Sequence, residues 1–135
     1  MEKITVEAVI ENLQTVIDFA TEHLEERDCP MKVLMQTELV IEEIFVNIAS
    51  YAYNPETGAA TFCIEFEENP SAMLMTFIDS GKPYNPLEKL DPDTTLDIDE
   101  RDIGGLGIFL VKKNVDELAY EYTDGKNILH MKKFF

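Results

Sequence analysis

Basic residues are scarce in this sequence of 135 residues. Lysine and arginine number 11 against 27 aspartates and glutamates, so the formal net charge is −16. Because so acidic a surface repels phosphate backbones and anionic headgroups, we expect no direct binding to nucleic acid or to a membrane surface. A nucleotide remains compatible with this charge, since backbone donors and a metal ion can hold phosphates locally.

Cysteine and long apolar runs are also scarce. The two cysteines, Cys29 and Cys63, are too few for a disulfide framework and are typical of small buried thiols in a reducing compartment. The N-terminus has no basic stretch leading into an apolar run, as a signal peptide would have. No window approaches about 18 uninterrupted apolar residues. We therefore expect a soluble, cytoplasmic protein.

The sequence contains the strand and helix signals of one domain, residues 1–135. Alternation and helical spacing of apolar residues predict the following order: strand 4–8, a helix capped by Asn12, helix 31–53, strands 60–67 and 72–78, a helix from 104 to about 115, and strands 117–123 and 127–134. Asp124-Gly125 is a strong hairpin signal between the last two strands. Four methionines are expected to fill the core: Met31, Met35, Met73 and Met75.

The first candidates for chemistry are Glu43 and Asn47, on the longer predicted helix. Because they are four residues apart, they lie on the same helix face, beside the apolar Ile44 and Ile48. A carboxylate there can act as a general base, and an amide oxygen can ligate a hard cation such as Mg²⁺. The plainer alternative is two polar residues on the solvent side of an amphipathic helix.

The second candidate is the segment Asp79-Ser80-Gly81-Lys82-Pro83, at the end of a predicted strand. The carboxylate of Asp79 can accept a hydrogen bond from an exocyclic amine, and Gly81 would let a flat ring approach the backbone. An ordinary turn is the alternative. After it, residues 82–103 lose their periodicity and become acidic, which is typical of a lid or a binding loop.

The third candidate is Gly104-Gly105-Leu106-Gly107, at the start of a predicted helix. Free backbone N–H groups and the helix dipole bind anions at such a place without a lysine. The chain lacks the P-loop pattern, and these glycines do not follow a strand of a βαβ unit, as a dinucleotide fingerprint would. A flexible hinge is the alternative.

In this order, the three motifs and the acidic loop resemble the ATP-binding domain shared by gyrase, the ninety-kilodalton heat-shock chaperone and sensor histidine kinases. The short chain is similar to the anti-sigma factor serine/threonine kinases of that superfamily. The resemblance implies an α/β (α+β) two-layer sandwich with helices on one face of a mixed, mostly antiparallel sheet. It also implies ATP and Mg²⁺ as cofactors, and as partners an anti-sigma factor antagonist, a sigma factor and a second copy of the chain.

The resemblance also implies residue roles. Glu43 matches the catalytic base, Asn47 the Mg²⁺ ligand, Asp79 the adenine-binding aspartate, and Gly81 the glycine beside it. The lid corresponds to about residues 82–103. The phosphate-binding box corresponds to Gly104, Gly105, Leu106 and Gly107.

The sequence departs from the family pattern at positions 127 and 51. Asn127 stands where many relatives carry a threonine, and its amide is expected to make a similar hydrogen bond near the adenine. Tyr51 stands where many relatives carry a histidine. Arg101 precedes the glycines, where it would either reach a phosphate or a partner's carboxylate, or only offset its acidic neighbours.

Functions of different classes follow from this resemblance. In the first, Glu43 activates a serine or threonine hydroxyl of the antagonist protein, and the kinase also sequesters a sigma factor by partner switching. In the second, the nucleotide orders the lid and gates a protein-binding surface without any phosphoryl transfer. A simple ATPase, in which water is the nucleophile, is a further alternative.

Overall fold

A five-stranded sheet forms one layer of the molecule. The computed structural model describes residues 1–88 and 103–135, and over residues 103–106 it describes the backbone alone. The strands are β1 (Glu2–Glu7), β2 (Ala59–Glu67), β3 (Ala72–Asp79), β4 (Glu117–Thr123) and β5 (Lys126–Phe134). They lie in the order β1-β2-β3-β5-β4. Every pairing of the described strands is antiparallel, whereas the resemblance implied a mixed, mostly antiparallel sheet.

In the part of the chain that the structure describes, three α-helices form the second layer, and with the sheet they confirm the expected α+β sandwich. The helices are α1 (Leu13–Glu26), α2 (Met31–Asn47) and α3 (Ile103–Asn114). Helix α2 contacts both of the others. Apolar residues at helical spacing give each helix a buried stripe, which in α1 consists of Val16, Ala20 and Leu24. None of the helices in the described part of the chain is long and apolar enough to cross a membrane.

The core lies between the helices and one face of the sheet. Side chains on a strand alternate between faces, and the register aligns Phe62, Phe77 and Leu129 across β2, β3 and β5. All three are buried. Two residues further along, the same face carries Asp79 beside Asn127, each 7% exposed. The apolar core therefore ends in a buried polar pair at one edge of the sandwich.

The hairpin between β4 and β5 sets the position of Asn127. Asp124 and Gly125 both have positive φ, 51° and 75°. This is the two-residue turn whose twist suits antiparallel strands, and it confirms the hairpin that the sequence predicts. Asn127 then pairs with Tyr122 on one side and Asp79 on the other.

The structure corrects the ends of the first two helices. Helix α2 stops at Asn47, and a π-helical segment, Ile48–Ala52, replaces the last turn of the predicted helix. Asn12 does not cap α1 with its side chain. Its amide instead donates a hydrogen bond to the carbonyl oxygen of Glu7 at 2.9 Å, and Ile10–Asn12 forms a 3₁₀ turn before the helix.

Two of the methionines expected in the core lie on the surface. Met73 and Met75 are buried as expected, but Met31 and Met35 are 68% and 64% exposed. Because they are one turn apart on α2, they share a face of the helix, and that face is exposed. Both cysteines are free thiols; Cys63 is buried and Cys29 is partly buried.

Candidate functional site

Two adjoining cavities lie where α2 ends, on the side of the buried polar pair. The larger one, about 240 Å³, extends from the π-helical segment to the end of β3 and is lined by Asp79 and Asn127. The smaller one, about 140 Å³, lies between α2 and α3 and is lined by Glu43 and Gly107. Asn47 lines both cavities. The structure thus brings together residues from all three sequence motifs.

Asp79 is the last residue of β3, and its two carboxylate oxygens differ. Oδ1 accepts hydrogen bonds from the backbone N–H of Gly81 at 2.9 Å and from the side-chain amide of Asn127 at 3.0 Å. Oδ2 has no hydrogen-bond partner among the residues that the structure describes. Because a buried carboxylate oxygen needs a donor, this end of the larger cavity suits a ligand that presents an N–H group.

Gly81 is required by packing of the backbone. A Cβ at this position would lie 2.3 Å from the carbonyl oxygen of Ala52, the last residue of the π-helical segment. That oxygen also accepts a hydrogen bond from the backbone N–H of Lys82 at 3.0 Å. The loop after β3 therefore lies directly on the π-helical segment. Glycine is needed at position 81 because of this backbone contact, whereas the sequence analysis expected it to admit a flat ring.

Tyr53 also holds the loop after β3 in place. Its hydroxyl accepts a hydrogen bond from the backbone N–H of Ser80 at 2.7 Å and donates one to the carbonyl oxygen of Ala59 at 2.6 Å. Its ring occupies the space of a side chain at Gly58, since a Cβ there would lie 2.3 Å from a ring carbon. The end of β3 is thus held to the start of β2 immediately before Gly81.

Glu43 and Gly107 contact each other across α2 and α3. A Cβ at position 107 would lie 2.8 Å from Oε2 of Glu43, so the carboxylate can occupy this place only beside a glycine. Burial, and to a lesser degree the neighbouring Glu42, raises the pKa of the Glu43 carboxyl group. A raised pKa brings a carboxylate closer to the range in which it accepts a proton efficiently at neutral pH.

Asn47 lies one helical turn after Glu43, as its spacing predicts. Its side chain makes no hydrogen bond to any residue that the structure describes, although it lines both cavities. An amide oxygen without a protein partner is a suitable ligand for Mg²⁺, which prefers oxygen and keeps several waters or phosphate oxygens. The residues present therefore fit a magnesium ion at the junction of the two cavities.

The glycine motif lies in the first turns of α3. The helix begins at Ile103, so Gly104 and Gly105 are among the residues whose backbone N–H groups lack partners within the helix. The side chain of Leu106, Arg101 and the stretch 89–102 of the predicted lid lie outside the described residues. Of the lid, residues 82–88 are described, and they end in a 3₁₀ turn, Pro86–Glu88.

Three tyrosines line the cavities, and the sequence analysis gave none of them a role in the site. Tyr120 alternates with Tyr122 on β4, a pattern that by itself predicts only packing in the sheet. Its side chain lines the larger cavity, and its hydroxyl donates a hydrogen bond to Oδ1 of Asn127. Burial raises the pKa of this hydroxyl, which keeps it protonated. Tyr51 and Tyr84 line both cavities. Strand alternation shows which face Tyr120 shares, but no local pattern reveals that this face ends at a cavity.

Comparison with known proteins agrees with this geometry. A family model of the histidine kinase-like ATPase domain matches residues 6–133. The chain belongs to this family. One similar protein is the serine/threonine-protein kinase BtrW of Bordetella bronchiseptica, which is 28% identical over 109 residues. The matched region covers 80% of this chain and 76% of BtrW. The two findings confirm the resemblance that the three motifs indicated.

Membership of the histidine kinase-like ATPase family implies the use of ATP. The two cavities agree with this, because one offers an acceptor for a base amine and the other adjoins the N-terminal end of α3.

Proposed function

We propose that this protein is an ATP- and Mg²⁺-dependent serine/threonine kinase of the anti-sigma factor type, acting in the cytoplasm. In this proposal it phosphorylates an antagonist protein and sequesters a sigma factor by partner switching. The observation that carries the proposal is the contact between the Glu43 carboxylate and Gly107. This contact gives the cavity next to the predicted phosphate-binding motif a carboxylate with a raised pKa.

The adenine would occupy the larger cavity, with its exocyclic amine donating to Oδ2 of Asp79. The triphosphate would then pass Asn47 and reach the smaller cavity, where the first backbone N–H groups of α3 would bind the terminal phosphates. Asn47 would hold Mg²⁺, which when bound offsets the charge of the phosphate oxygens. This assignment reconciles an anionic ligand with an acidic protein, because the donors at the phosphates are backbone groups.

Glu43 would act as the general base in the transfer. Its carboxylate accepts the proton of a serine or threonine hydroxyl on the substrate protein, while that hydroxyl oxygen forms a bond to the γ-phosphorus. The bond from the γ-phosphorus to the bridging oxygen breaks, and ADP leaves. Phosphoryl transfer depends mainly on positioning and electrostatic stabilisation, so this small set of groups is sufficient.

The partners follow from the anti-sigma resemblance. Phosphorylation would release the antagonist and leave the sigma factor bound to the kinase. The similarity to BtrW supports serine or threonine as the acceptor. A single domain over residues 1–135 and a homodimer are part of the same proposal.

The test is phosphoryl transfer from γ-labelled ATP to protein in an extract of the source organism, with purified wild type, Glu43→Ala or Glu42→Ala. Glu42 is the matched control, because it is the adjacent glutamate on α2 and is exposed. We expect Glu43→Ala to bind ATP but to lose transfer, typically by 10²–10⁴-fold for a general base. Glu42→Ala should stay near the wild-type rate. Transfer by Glu43→Ala at the wild-type rate would remove Glu43 from the role of base.

A nucleotide-gated binding module is the second candidate. It is favoured by the hydrogen bonds that tie residues 82–84, the start of the predicted lid, to the polar pair. Thermal unfolding with ATP, in Mg²⁺ and then in excess chelator, separates the candidates. Ligand at about 100 times its Kd adds about 2.7 kcal/mol of stability. A Mg²⁺-dependent shift without any protein labelling would favour the module, and release of free phosphate alone would favour a simple ATPase.

A further inference from the structure

The side-chain amide of Asn127 is surrounded by protein groups. Its Nδ2 donates to Oδ1 of Asp79 at 3.0 Å and to the carbonyl oxygen of Lys82 at 2.9 Å. Its Oδ1 accepts from the backbone N–H of Tyr84 at 3.0 Å and from the hydroxyl of Tyr120. The residue is 7% exposed.

These contacts use the whole hydrogen-bonding capacity of the group. A carboxamide has two N–H donors and an oxygen that accepts two hydrogen bonds. All four are satisfied by the protein, so Asn127 has nothing left to offer a ligand. This differs from the direct hydrogen bond near the adenine that the family pattern suggested.

We propose that Asn127 is a positioning residue, which sets the preference for an amino-substituted purine by orienting Asp79 rather than by contacting the ligand. The inference rests on the proposed nucleotide function. It names the residue that decides how the site recognises the base.

The physical reason lies in the two oxygens of Asp79. Oδ1 is held by two donors, the N–H of Gly81 and the amide of Asn127, and this leaves Oδ2 for the ligand. Without the amide, the N–H of Gly81 would be the one donor from the described residues that still holds the carboxylate, and the carboxylate plane could rotate. A loosely held acceptor discriminates poorly, because selectivity requires the unpaired group to be fixed in place.

The test compares the Kd of ATP with that of purine riboside 5′-triphosphate, which is ATP without the 6-amino group. The wild type should prefer ATP by about tenfold or more, as expected for a hydrogen bond to a buried charged acceptor. In Asn127→Ala the ATP affinity should fall about tenfold, and that of the amine-free analogue should change less than twofold. A loss of folding or of the phosphate site would weaken both nucleotides equally.

Asn127→Asp separates positioning from direct contact. It keeps the acceptor oxygen but loses both donors, so a direct contact from Oδ1 to the amine would survive. Positioning predicts that the preference for ATP is lost at pH 8. Two adjacent carboxylates raise the pKa of one of them, and the proton taken up at lower pH restores a donor to Asp79. The preference should therefore return as the pH falls to 6.

The pH series needs two references. Among the described residues, the other titratable groups around position 127 are Tyr120 and Tyr122 from β4, and Lys82, Tyr84 and Glu88 from the segment after β3. They are present in the wild type as well, and protonation of the triphosphate is common to both nucleotides. The ratio of the two Kd values in the variant, divided by the wild-type ratio at each pH, therefore isolates position 127.

Two tyrosine variants complete the test. Tyr120→Phe removes one hydrogen bond that Oδ1 of Asn127 accepts, but the two hydrogen bonds that its Nδ2 donates remain. The preference for ATP should therefore fall less than in Asn127→Asp. Tyr122→Phe is the matched control on the same strand, and it should leave the preference unchanged. Asn127→Asp with the full wild-type preference at pH 8 would overturn the positioning role. A wild type that binds neither nucleotide would instead overturn the proposed function itself.

Discussion

The contact between Glu43 and Gly107 makes Gly107→Ala an informative substitution. The new Cβ would lie 2.8 Å from Oε2 of Glu43, whereas ordinary contacts begin at 3.4 Å. The atom that must move is the far end of a flexible side chain, and no backbone atom of the described residues outside α3 lies within 4 Å of the new Cβ. We therefore expect the fold to accept the methyl group and the carboxylate to be displaced by about 0.6 Å or more.

Gly107→Ala should affect stability and activity in opposite directions. Alanine is favoured over glycine within a helix by about 1 kcal/mol, so the free energy of unfolding should stay unchanged or rise by up to about that amount. Misplacing a catalytic group by about 1 Å can lower a rate about 10²-fold. We expect the rate of phosphoryl transfer to fall by about 10- to 100-fold, while ATP affinity stays within about threefold.

Urea unfolding and the transfer assay on the same preparation measure both effects. Gly81→Ala is the matched control, because its Cβ would meet the backbone of Ala52 at 2.3 Å. It should lose about 2 kcal/mol or more, as overpacking against backbone does. The reasoning fails if Gly107→Ala loses more than about 1 kcal/mol, or if it transfers phosphate at the wild-type rate.

Two further predictions concern Glu43 and Tyr53. Burial raises the pKa of Glu43 above its ordinary value of 4.5, so the folded state binds this proton more tightly than the unfolded chain does. The folded state therefore loses stability as the pH rises from the pKa of the unfolded chain to the higher pKa of the folded state. Glu43→Gln should therefore be more stable than wild type at pH 8 but not at pH 4, and an equal gain at both pH values would contradict this reasoning. The rate of phosphoryl transfer by the wild type should fall as the pH drops through the raised pKa of Glu43. Tyr53→Phe removes one hydrogen bond to Ser80, directly after β3, and one to Ala59, at the start of β2, and should lose about 1–2 kcal/mol in urea unfolding. Tyr51→Phe, at a residue that is 65% exposed, should change the free energy of unfolding by less than about 0.5 kcal/mol. Equal losses in the two tyrosine variants would refute the role of Tyr53.

Local patterns predicted most of the elements. Alternation located β2, β3, β4 and β5 to within a residue or two, since a strand with one buried face repeats every second residue. The turn at Asp124 and Gly125 was predictable because few residues accept positive φ at two successive positions. The spacing of Glu43 and Asn47 placed them one turn apart, since helical geometry alone fixes that relation.

The surface positions of Met31 and Met35 could not be read in the same way. Helical spacing identifies which residues share a face, but the apolar residues of α2 occupy more than one face. Val40 and Ile41 belong to the core cluster, and both are 0% exposed. Only the packing of the neighbouring elements decides which apolar residues are covered.

The sequence by itself determined the order of strands and helices, the acidic charge and the three motifs, because these depend on neighbours along the chain. The tertiary structure decided the rest. The contact of Glu43 with Gly107 joins residues 64 positions apart, and the bond from Asn127 to Asp79 spans 48. Such contacts depend on the register of β3 with β5 and on the packing of α2 against α3. The physical reason is that side-chain hydrogen bonds and glycine contacts are set within a few tenths of an ångström, and only the assembled sandwich fixes its parts that closely.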